Sequence, residues 1–250
     1  MYNDANMKPW SLDQAILPEI TVVGDLVTIK NIRNFTYRTV DDYTPGYYDK
    51  TFKMSEIITL DFVLEPFKEL PIAGHTLLSF GFTNGEHLAI SVEIRKRVGQ
   101  KFSPILGLFP IYELMYVIAD ECDVIKLRSN HRNDNVYLYP VKMDRDNIRK
   151  LFLDMLTRAQ ALQEKPEFYN TISSSCLTNL VDHLNESLPN RIPFNWRLVI
   201  PGNVDKYFLE RGLFDTDLPI ETARKKFNVS ERARKYSDGQ AFSKLIRSNG

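Results

Sequence analysis

Cysteine is scarce in this sequence, and neither sign of charge predominates. The 250 residues include two cysteines, Cys122 and Cys176, which are too few for a disulfide scaffold or an all-thiolate zinc site. Lys and Arg together number 32, as do Asp and Glu, so the formal net charge is zero. Binding along a phosphate backbone requires an excess of cationic side chains. A dedicated nucleic-acid-binding protein is therefore not expected.

Long apolar runs are also missing. The most apolar stretch, 105–119, is interrupted by Pro110 and Glu113 and is shorter than the roughly 20 residues that a bilayer crossing needs. Residues 1–12 lack the basic and apolar regions of a signal peptide. The sequence thus predicts neither a membrane span nor a signal peptide. It contains no phosphate-binding glycine loop and no metalloprotease motif, so no cofactor and no metal ion are expected.

The first half of the chain has the composition of a mostly antiparallel sheet. β-Branched and aromatic residues are concentrated in several short segments, and Gly24-Asp25 is a turn signal between the first two apolar pieces. Two polar segments between strands, 41–49 and 120–134, are predicted as an exposed aromatic loop and a connection. The predicted strands are 20–29, 31–38, 56–62, 75–82, 87–95, 112–118 and 136–141.

Helical periodicity begins after Asp144. Apolar residues recur at helical spacing between Ile148 and Leu162, and Pro166 ends the pattern. A second helix is predicted to begin near 173–175 and to carry Cys176 in its first turn. The sequence therefore predicts an α+β fold. Its parts are an N-terminal extension (1–18), one domain (19–219) and a polar, basic tail (220–250) with little core material.

Cys176 is the candidate nucleophile. Backbone N–H groups and the helix dipole at a helix N-terminus favour an anion, which lowers a thiol pKa and increases the thiolate fraction. Hydrogen-bond donors are frequent in the flanking segment 168–179, as an oxyanion site requires. The alternative interpretation is a small buried side chain. Cys122 lies between Glu121 and Asp123, where negative charge disfavours a thiolate, so we expect it to be inert.

His75 is the candidate base, since a thiolate nucleophile normally needs a histidine to take up and return its proton. It begins an apolar strand, where its side chain can face a cleft. The sequence places His87 beside a turn and His131 in a polar segment, which favours surface positions for both. His183 lies seven residues after Cys176 on the same predicted helix, too far for direct contact.

Glu93 is the candidate that orients His75, because it is a lone carboxylate in an apolar strand. Its face depends on the hairpin loop at Asn84-Gly85. A two-residue loop pairs His75 with Ile94 and turns Glu93 to the other face, whereas a three-residue loop or a bulge brings His75 and Glu93 together. The alternative role for Glu93 is an ion pair at the strand end. Ser91 shares its face and is the weaker substitute.

Several blocks, in this order, give the chain a resemblance to the Lnb N-terminal periplasmic domain family. The likeness extends from about Trp10 to Arg247. The blocks are Asn31–Arg38, Ala73–Phe82, Ala89–Arg95, Tyr112–Ile118, Pro166–Thr171 followed by Cys176, and Phe242–Arg247.

The resemblance implies a papain-like fold of the permuted NlpC/P60 kind and a place at the periplasmic face of the cell envelope. It implies that Cys176, with His75 and Glu93, accepts an acyl chain as a thioester and passes it to an amine, as in lipoprotein N-acylation. Phospholipid or lipoprotein would then be the substrate, and a membrane surface the setting. An asparagine is common before the family's cysteine, whereas Ser175 stands here. The alternatives are a cysteine amidase or peptidase acting on cell-wall peptide, and a non-catalytic binding module.

Overall fold

The computed structural model describes residues 9–236 and 241–248, and these residues form an α+β fold, which confirms the predicted class. The strands are β1 (Glu19–Val23), β2 (Leu26–Arg33), β3 (Thr36–Tyr37), β4 (Tyr43–Thr44), β5 (Tyr47–Lys53), β6 (Ile57–Phe67), β7 (Leu70–Phe82), β8 (His87–Arg95), β9 (Glu113–Asp120) and β10 (Tyr137–Pro140). The helices are α1 (Glu121–Lys126), α2 (Arg145–Glu164), α3 (Cys176–Ser187), α4 (Val204–Glu210), α5 (Ile220–Phe227), α6 (Ser230–Lys235) and α7 (Phe242–Arg247).

The main sheet has eight strands, seven of them in the order β1-β2-β9-β8-β7-β6-β10, and the eighth, β5, also pairs with β2. Among the described residues, the strands of this sheet pair antiparallel except at one parallel pair, Arg33 with Ala119, between β2 and β9. The predicted turn at Gly24-Asp25 joins β1 and β2, and Gly24 has a positive φ of 58°. β3 and β4 form a separate small hairpin.

Helices cover both faces of the sheet. Alternate residues of β7 point to opposite faces, so Leu78 and Phe80 pack in the core under α2 and α3. Leu77 packs in a second core with α1, α6 and α7. The central strands are thus buried on both sides, and side chains that are adjacent in β7 contact different helices.

The two long helices follow the predicted pattern. Asp144 caps α2 by accepting a hydrogen bond from the backbone N–H of Asn147, and the residues at helical spacing are buried in the core. Ser175 caps α3, and Cys176 is its first residue. Both predicted helices are confirmed.

Two segments predicted as loops contain regular structure. Segment 41–49 contains β4 and the start of β5, and Tyr43 stacks on Phe35 with ring centroids 5.4 Å apart. Segment 120–134 contains α1 and a π-helical turn, Leu127–Arg132. Asp120 caps α1 by accepting from the backbone N–H of Cys122. A helix of six residues is too short to produce a clear hydrophobic period, which is why the sequence pattern missed it.

The segment after residue 219 contributes to the core, contrary to expectation. Val229, Phe242 and Ile246 are buried against the face of the sheet that α1 covers. Arg247 makes ion pairs at 2.6 Å with both Asp61 and Glu121 and thereby fixes α7 to the sheet. The basic residues that made this segment look like a surface tail alternate with small and apolar ones, and one of those basic residues is itself partly buried.

Candidate active site

The sheet opens where β7 and β8 diverge. The last pair between these strands is Leu77 with Ser91. Beyond it, β7 continues along β6 through His75 opposite Glu65, and β8 continues along β9 through Glu93 opposite Met115. A cavity of about 350 Å³ is lined by residues of both diverging strands and by the first residue of α3. Because the sheet is open here, side chains from its two faces share one cavity.

The hairpin loop decides which residues meet in the cavity. The backbone N–H of Phe82 donates to the carbonyl of Glu86 at 2.9 Å, which leaves a three-residue loop with Gly85 at a φ of 84°. This is the alternative that brings His75 and Glu93 to one face. His75 Nε2 lies 3.8 Å from Glu93 Oε1.

Ser91 lies between these two side chains. Its Oγ is 2.7 Å from His75 Nε2 and donates to Glu93 Oε1 at 3.0 Å. A hydroxyl has one proton, so a Ser91 that donates to the carboxylate must accept from the imidazole. The network therefore assigns the proton of neutral His75 to Nε2 and leaves the lone pair on Nδ1.

Arg128, which the sequence analysis did not identify, holds the carboxylate. Its guanidinium Nη2 lies 3.3 Å from Glu93 Oε1 and its Nε lies 2.7 Å from Glu65 Oε2. Arg128 and Glu65 are almost fully buried, and Arg132 Nη1 approaches Glu65 at 3.3 Å. Glu65 lies beyond the end of the predicted strand 56–62, and its strand also contains Asp61, so it lacks the lone-carboxylate signal of Glu93. Arg128 had no such signal, because its segment was predicted as a polar connection.

The charges of the site follow from burial and from this arginine. Burial lowers the pKa of His75 to about 3, and the positive charge of Arg128 acts in the same direction. Burial by itself would raise the pKa of Glu93, but the positive charges of protonated His75, Arg128 and Arg33 outweigh it, so this pKa is lowered. At neutral pH the site therefore holds a neutral imidazole close to an ionised carboxylate.

Ser175 forms a capping box with Thr178 at the start of α3. The hydroxyl of Thr178 accepts from the backbone N–H of Ser175 at 2.7 Å, and the hydroxyl of Ser175 accepts from the backbone N–H of Thr178 at 3.3 Å. Asparagine and serine are both preferred helix caps. Serine before Cys176 thus keeps the thiol in the first turn, as an asparagine would.

The immediate neighbour of the thiol is Thr76 rather than His75. Burial raises the pKa of Cys176, and this is partly opposed by the backbone N–H and hydroxyl of Thr76 and by the backbone N–H of Leu177. The direction is opposite to the expected one, because the loss of hydration outweighs the helix N-terminus. The resting thiol is therefore protonated.

Asn170 and Asn179, which flank the cysteine in the sequence, donate to groups other than the thiol, contrary to expectation. Asn170 accepts from the backbone N–H groups of Ile172 and Ser173 at 3.0 Å and donates to the carbonyl of Leu108. Asn179 donates to Ser174 and to the carbonyl of Ser175. These groups shape the loop and the helix end. The polar groups near the thiol are instead the backbone N–H and buried hydroxyl of Thr76 and the backbone N–H of Leu177.

His183, the histidine of α3, has a structural role. His183 Nε2 lies 2.5 Å from the hydroxyl of Tyr116, and Nδ1 lies 2.6 Å from Asp154 Oδ2. These contacts join α3 to β9 and α2. His183 is absent from the lining of the cavity that contains Cys176.

The cavity is mainly apolar, with a polar end. His75, Glu93, Cys176 and the two arginines mark the polar end. The remaining wall is composed mostly of aliphatic and aromatic residues, which are Phe67, Leu70, Ile72, Ala73, Val92, Ile94, Phe102, Pro104, Tyr169, Val199, Ile200 and Pro201.

The fold and the site define an α+β domain whose cysteine helix faces an open sheet. The chain belongs to the Lnb N-terminal periplasmic domain family, whose model matches residues 43–202 and so includes His75, Glu93 and Cys176. This confirms the family resemblance, and the family fits a periplasmic location. No curated protein and no solved structure matches the chain. Among the described residues, no helix is both long and apolar enough to span a membrane.

Proposed function

We propose that this domain is a thiol acyltransferase that accepts a lipid acyl chain on Cys176 as a thioester and passes it to an amine. The observation that carries the proposal is the shared cavity, which joins a helix-terminal cysteine, a hydrogen-bonded histidine and carboxylate, and a mainly apolar wall. An acyl chain needs an apolar slot beside the nucleophile, whereas a cell-wall peptide needs a polar cleft. The lining therefore favours the lipid donor over the peptide hydrolase.

The acylation step uses the neutral forms that the pKa directions indicate. His75 Nδ1 takes the proton of the Cys176 thiol as sulfur attacks the ester carbonyl carbon, and the π electrons move to the carbonyl oxygen. The backbone N–H of Leu177 and the hydroxyl of Thr76, which lie near the sulfur, would donate to this oxyanion. The intermediate collapses when the C–O bond breaks, and the departing alkoxide takes the proton from His75. Catalytic hydrogen bonds often shorten only once substrate is bound.

The transfer step reverses the roles. The nitrogen of an acceptor amine attacks the thioester carbonyl, the C–S bond breaks, and His75 returns a proton to sulfur after taking one from the nitrogen. Arg128 keeps Glu93 ionised, and the hydroxyl of Ser91 links this carboxylate to the imidazole of His75 by hydrogen bonds. The acceptor that fits the family setting is the amino group of a lipoprotein at the periplasmic face of the envelope.

One observation favours a second candidate, the non-catalytic binding module. Burial raises the pKa of the Cys176 thiol, and Thr76 rather than His75 lies against it. A module of this kind would bind lipid in the cavity without forming a thioester.

Intact-mass spectrometry with two donors separates these candidates. The protein is incubated with phospholipid or with a cell-wall peptide and trapped at low pH, beside Cys176→Ala and the control Cys122→Ala. We expect an acyl-sized mass increase from phospholipid only, released by hydroxylamine and lost only in Cys176→Ala. An adduct from peptide alone would support the hydrolase. Binding of phospholipid without any adduct would support the binding module.

A further inference from the structure

Most of the exposed large apolar side chains lie in chain segments that also line the cavity. They lie in three loops, 98–112, 168–175 and 188–201, and on the first residues of β7. We call this set the apolar rim, and its members are Leu70, Ile72, Val98, Phe102, Ile105, Leu106, Leu108, Phe109, Ile111, Phe168, Ile172, Phe194 and Trp196. Ile105 and Phe194 are 72% and 73% exposed. A contiguous exposed apolar patch marks an interaction surface.

The rim segments are fixed to one another. Thr171 donates through its hydroxyl to the carbonyl of Pro104 at 2.7 Å and through its N–H to the carbonyl of Gly107 at 3.0 Å. At the end of the third loop, Gly202 packs so closely on Pro71 that a Cβ atom there would lie 2.0 Å from its carbonyl oxygen. Each of the three loops and β7 supplies residues to the cavity wall. The rim segments are therefore held in pairs around one shared cavity.

Most backbone N–H groups of loop 103–111 are hydrogen-bonded within the protein. The N–H groups of Gly107, Leu108, Phe109 and Ile111 donate to carbonyls of the same loop. Pro104 and Pro110 have no N–H, the N–H of Leu106 donates to the Ser103 hydroxyl, and the carbonyl of Leu108 accepts from Asn170. This pairing favours insertion into lipid, because an unpaired backbone group is costly where water is absent.

Charge on the rim loops has one sign. The three loops contain no Asp or Glu, and their charged residues are Lys101, Arg191 and Arg197. Arg197 pairs with Glu210 at 2.8 Å, and Arg191 lies 3.5 Å from Glu186. Apolar contact must therefore provide most of the affinity, with a smaller contribution from anionic headgroups. Aromatic and aliphatic side chains with cationic neighbours are typical of segments that lie in a membrane interface.

We infer that the apolar rim is a membrane-docking face that inserts into the outer part of a lipid bilayer and holds the cavity mouth against it. The inference deepens the proposed function, because a lipid donor would enter the cavity directly from the bilayer. Docking itself does not require Cys176, so binding and acylation can be measured apart.

The test is sedimentation with vesicles of phosphatidylcholine and phosphatidylglycerol. Ile105→Ser with Phe109→Ser removes two exposed rim side chains, and Val23→Ser with Leu26→Ser is the matched control, because these residues are also exposed but lie on the β1–β2 hairpin. Each large apolar side chain withdrawn from water contributes enough for at least about a tenfold change in affinity. We expect at least a tenfold loss of binding for the rim variant, no change for the control, and unaltered binding for Cys176→Ala.

Three results would overturn the inference. They are wild-type protein that does not sediment with vesicles, a rim variant that binds as well as wild type, and a wild-type dimer in solution that the rim substitutions dissociate. The last would assign the rim to a second copy of the chain. If vesicle binding fails while detergent-dispersed phospholipid still acylates Cys176, only the docking face is wrong. If docking succeeds without any acyl adduct, the proposed function is wrong.

Discussion

Replacement of Ser91 by alanine tests the hydrogen-bonded link between the His75 imidazole and the Glu93 carboxylate. The hydroxyl of Ser91 contacts His75 Nε2 at 2.7 Å and Glu93 Oε1 at 3.0 Å, and Ser91 is fully buried. Ser91→Ala leaves the Nε2–H of His75 without its acceptor and removes one donor from an ionised carboxylate. A buried group that loses its partner costs about 1–3 kcal/mol.

The same substitution should slow acylation, because the His75 tautomer that has its lone pair on Nδ1 is no longer fixed by a hydrogen bond. A penalty of roughly 1.4–2.8 kcal/mol in the acylation barrier corresponds to about a 10- to 100-fold slower reaction. The assay is single-turnover thioester formation followed by intact-mass spectrometry. Ser91→Thr keeps the hydroxyl and should recover most of the rate.

Ser79→Ala is the matched control for stability. Ser79 is a buried serine of β7 whose hydroxyl donates to the carboxylate of Glu121 at 2.6 Å, on the part of the strand that remains paired with β8. This variant should lose a similar amount of stability in guanidinium unfolding while it acylates at the wild-type rate. Acylation by Ser91→Ala at the wild-type rate, or equal slowing of Ser91→Ala and Ser79→Ala, would refute a catalytic role for the hydrogen-bonded link through Ser91.

Three further predictions concern pH and the C-terminal helix. The folded pKa of His75 is about 3 against 6.5 for the free side chain, so the unfolded state binds more protons between these values. The free energy of unfolding should therefore fall by up to roughly 1.4 kcal/mol per pH unit below pH 6.5 in guanidinium titrations, and a fall as large in His75→Gln would contradict this. Because burial raises the pKa of Cys176, the rate of its alkylation by iodoacetamide without lipid should still increase above pH 9. A rate that reaches a plateau at pH 6 to 7 would show that the pKa is lowered instead. Arg247→Met leaves two buried carboxylates unpaired and should cost about 3–5 kcal/mol in guanidinium unfolding, with Arg247→Lys losing less, and a cost below about 1 kcal/mol would exclude a structural role for the ion pairs.

Much of the fold could be predicted because its signals are local. The Asn84-Gly85 turn predicts the β7–β8 hairpin, and the periodic apolar residues after Asp144 predict α2. Loop length could not be decided from the sequence, since both the two- and three-residue loops suit Asn-Gly. That single residue of register decides whether His75 and Glu93 face each other, which is why the sequence left both arrangements open.

The parts of the site that the sequence missed depend on contacts distant in the chain. Arg128 meets Glu93 and Glu65 only after β6, β8 and the π-helical turn pack together, and its own segment has no period to reveal it. The direction of the Cys176 pKa was wrong for a related reason. The sequence shows the helix N-terminus but cannot show that the thiol is buried beneath the opened sheet.

The most direct test of the account is to locate the acyl group. Protein incubated with phospholipid would be trapped at low pH, digested under acidic conditions and mapped by tandem mass spectrometry. We predict a hydroxylamine-sensitive acyl group on the peptide that contains Cys176, no acyl group on the peptide that contains Cys122, and none on either peptide in His75→Ala. An acyl group on Cys122, or no acyl group on Cys176, would contradict the assignment of Cys176 as the nucleophile.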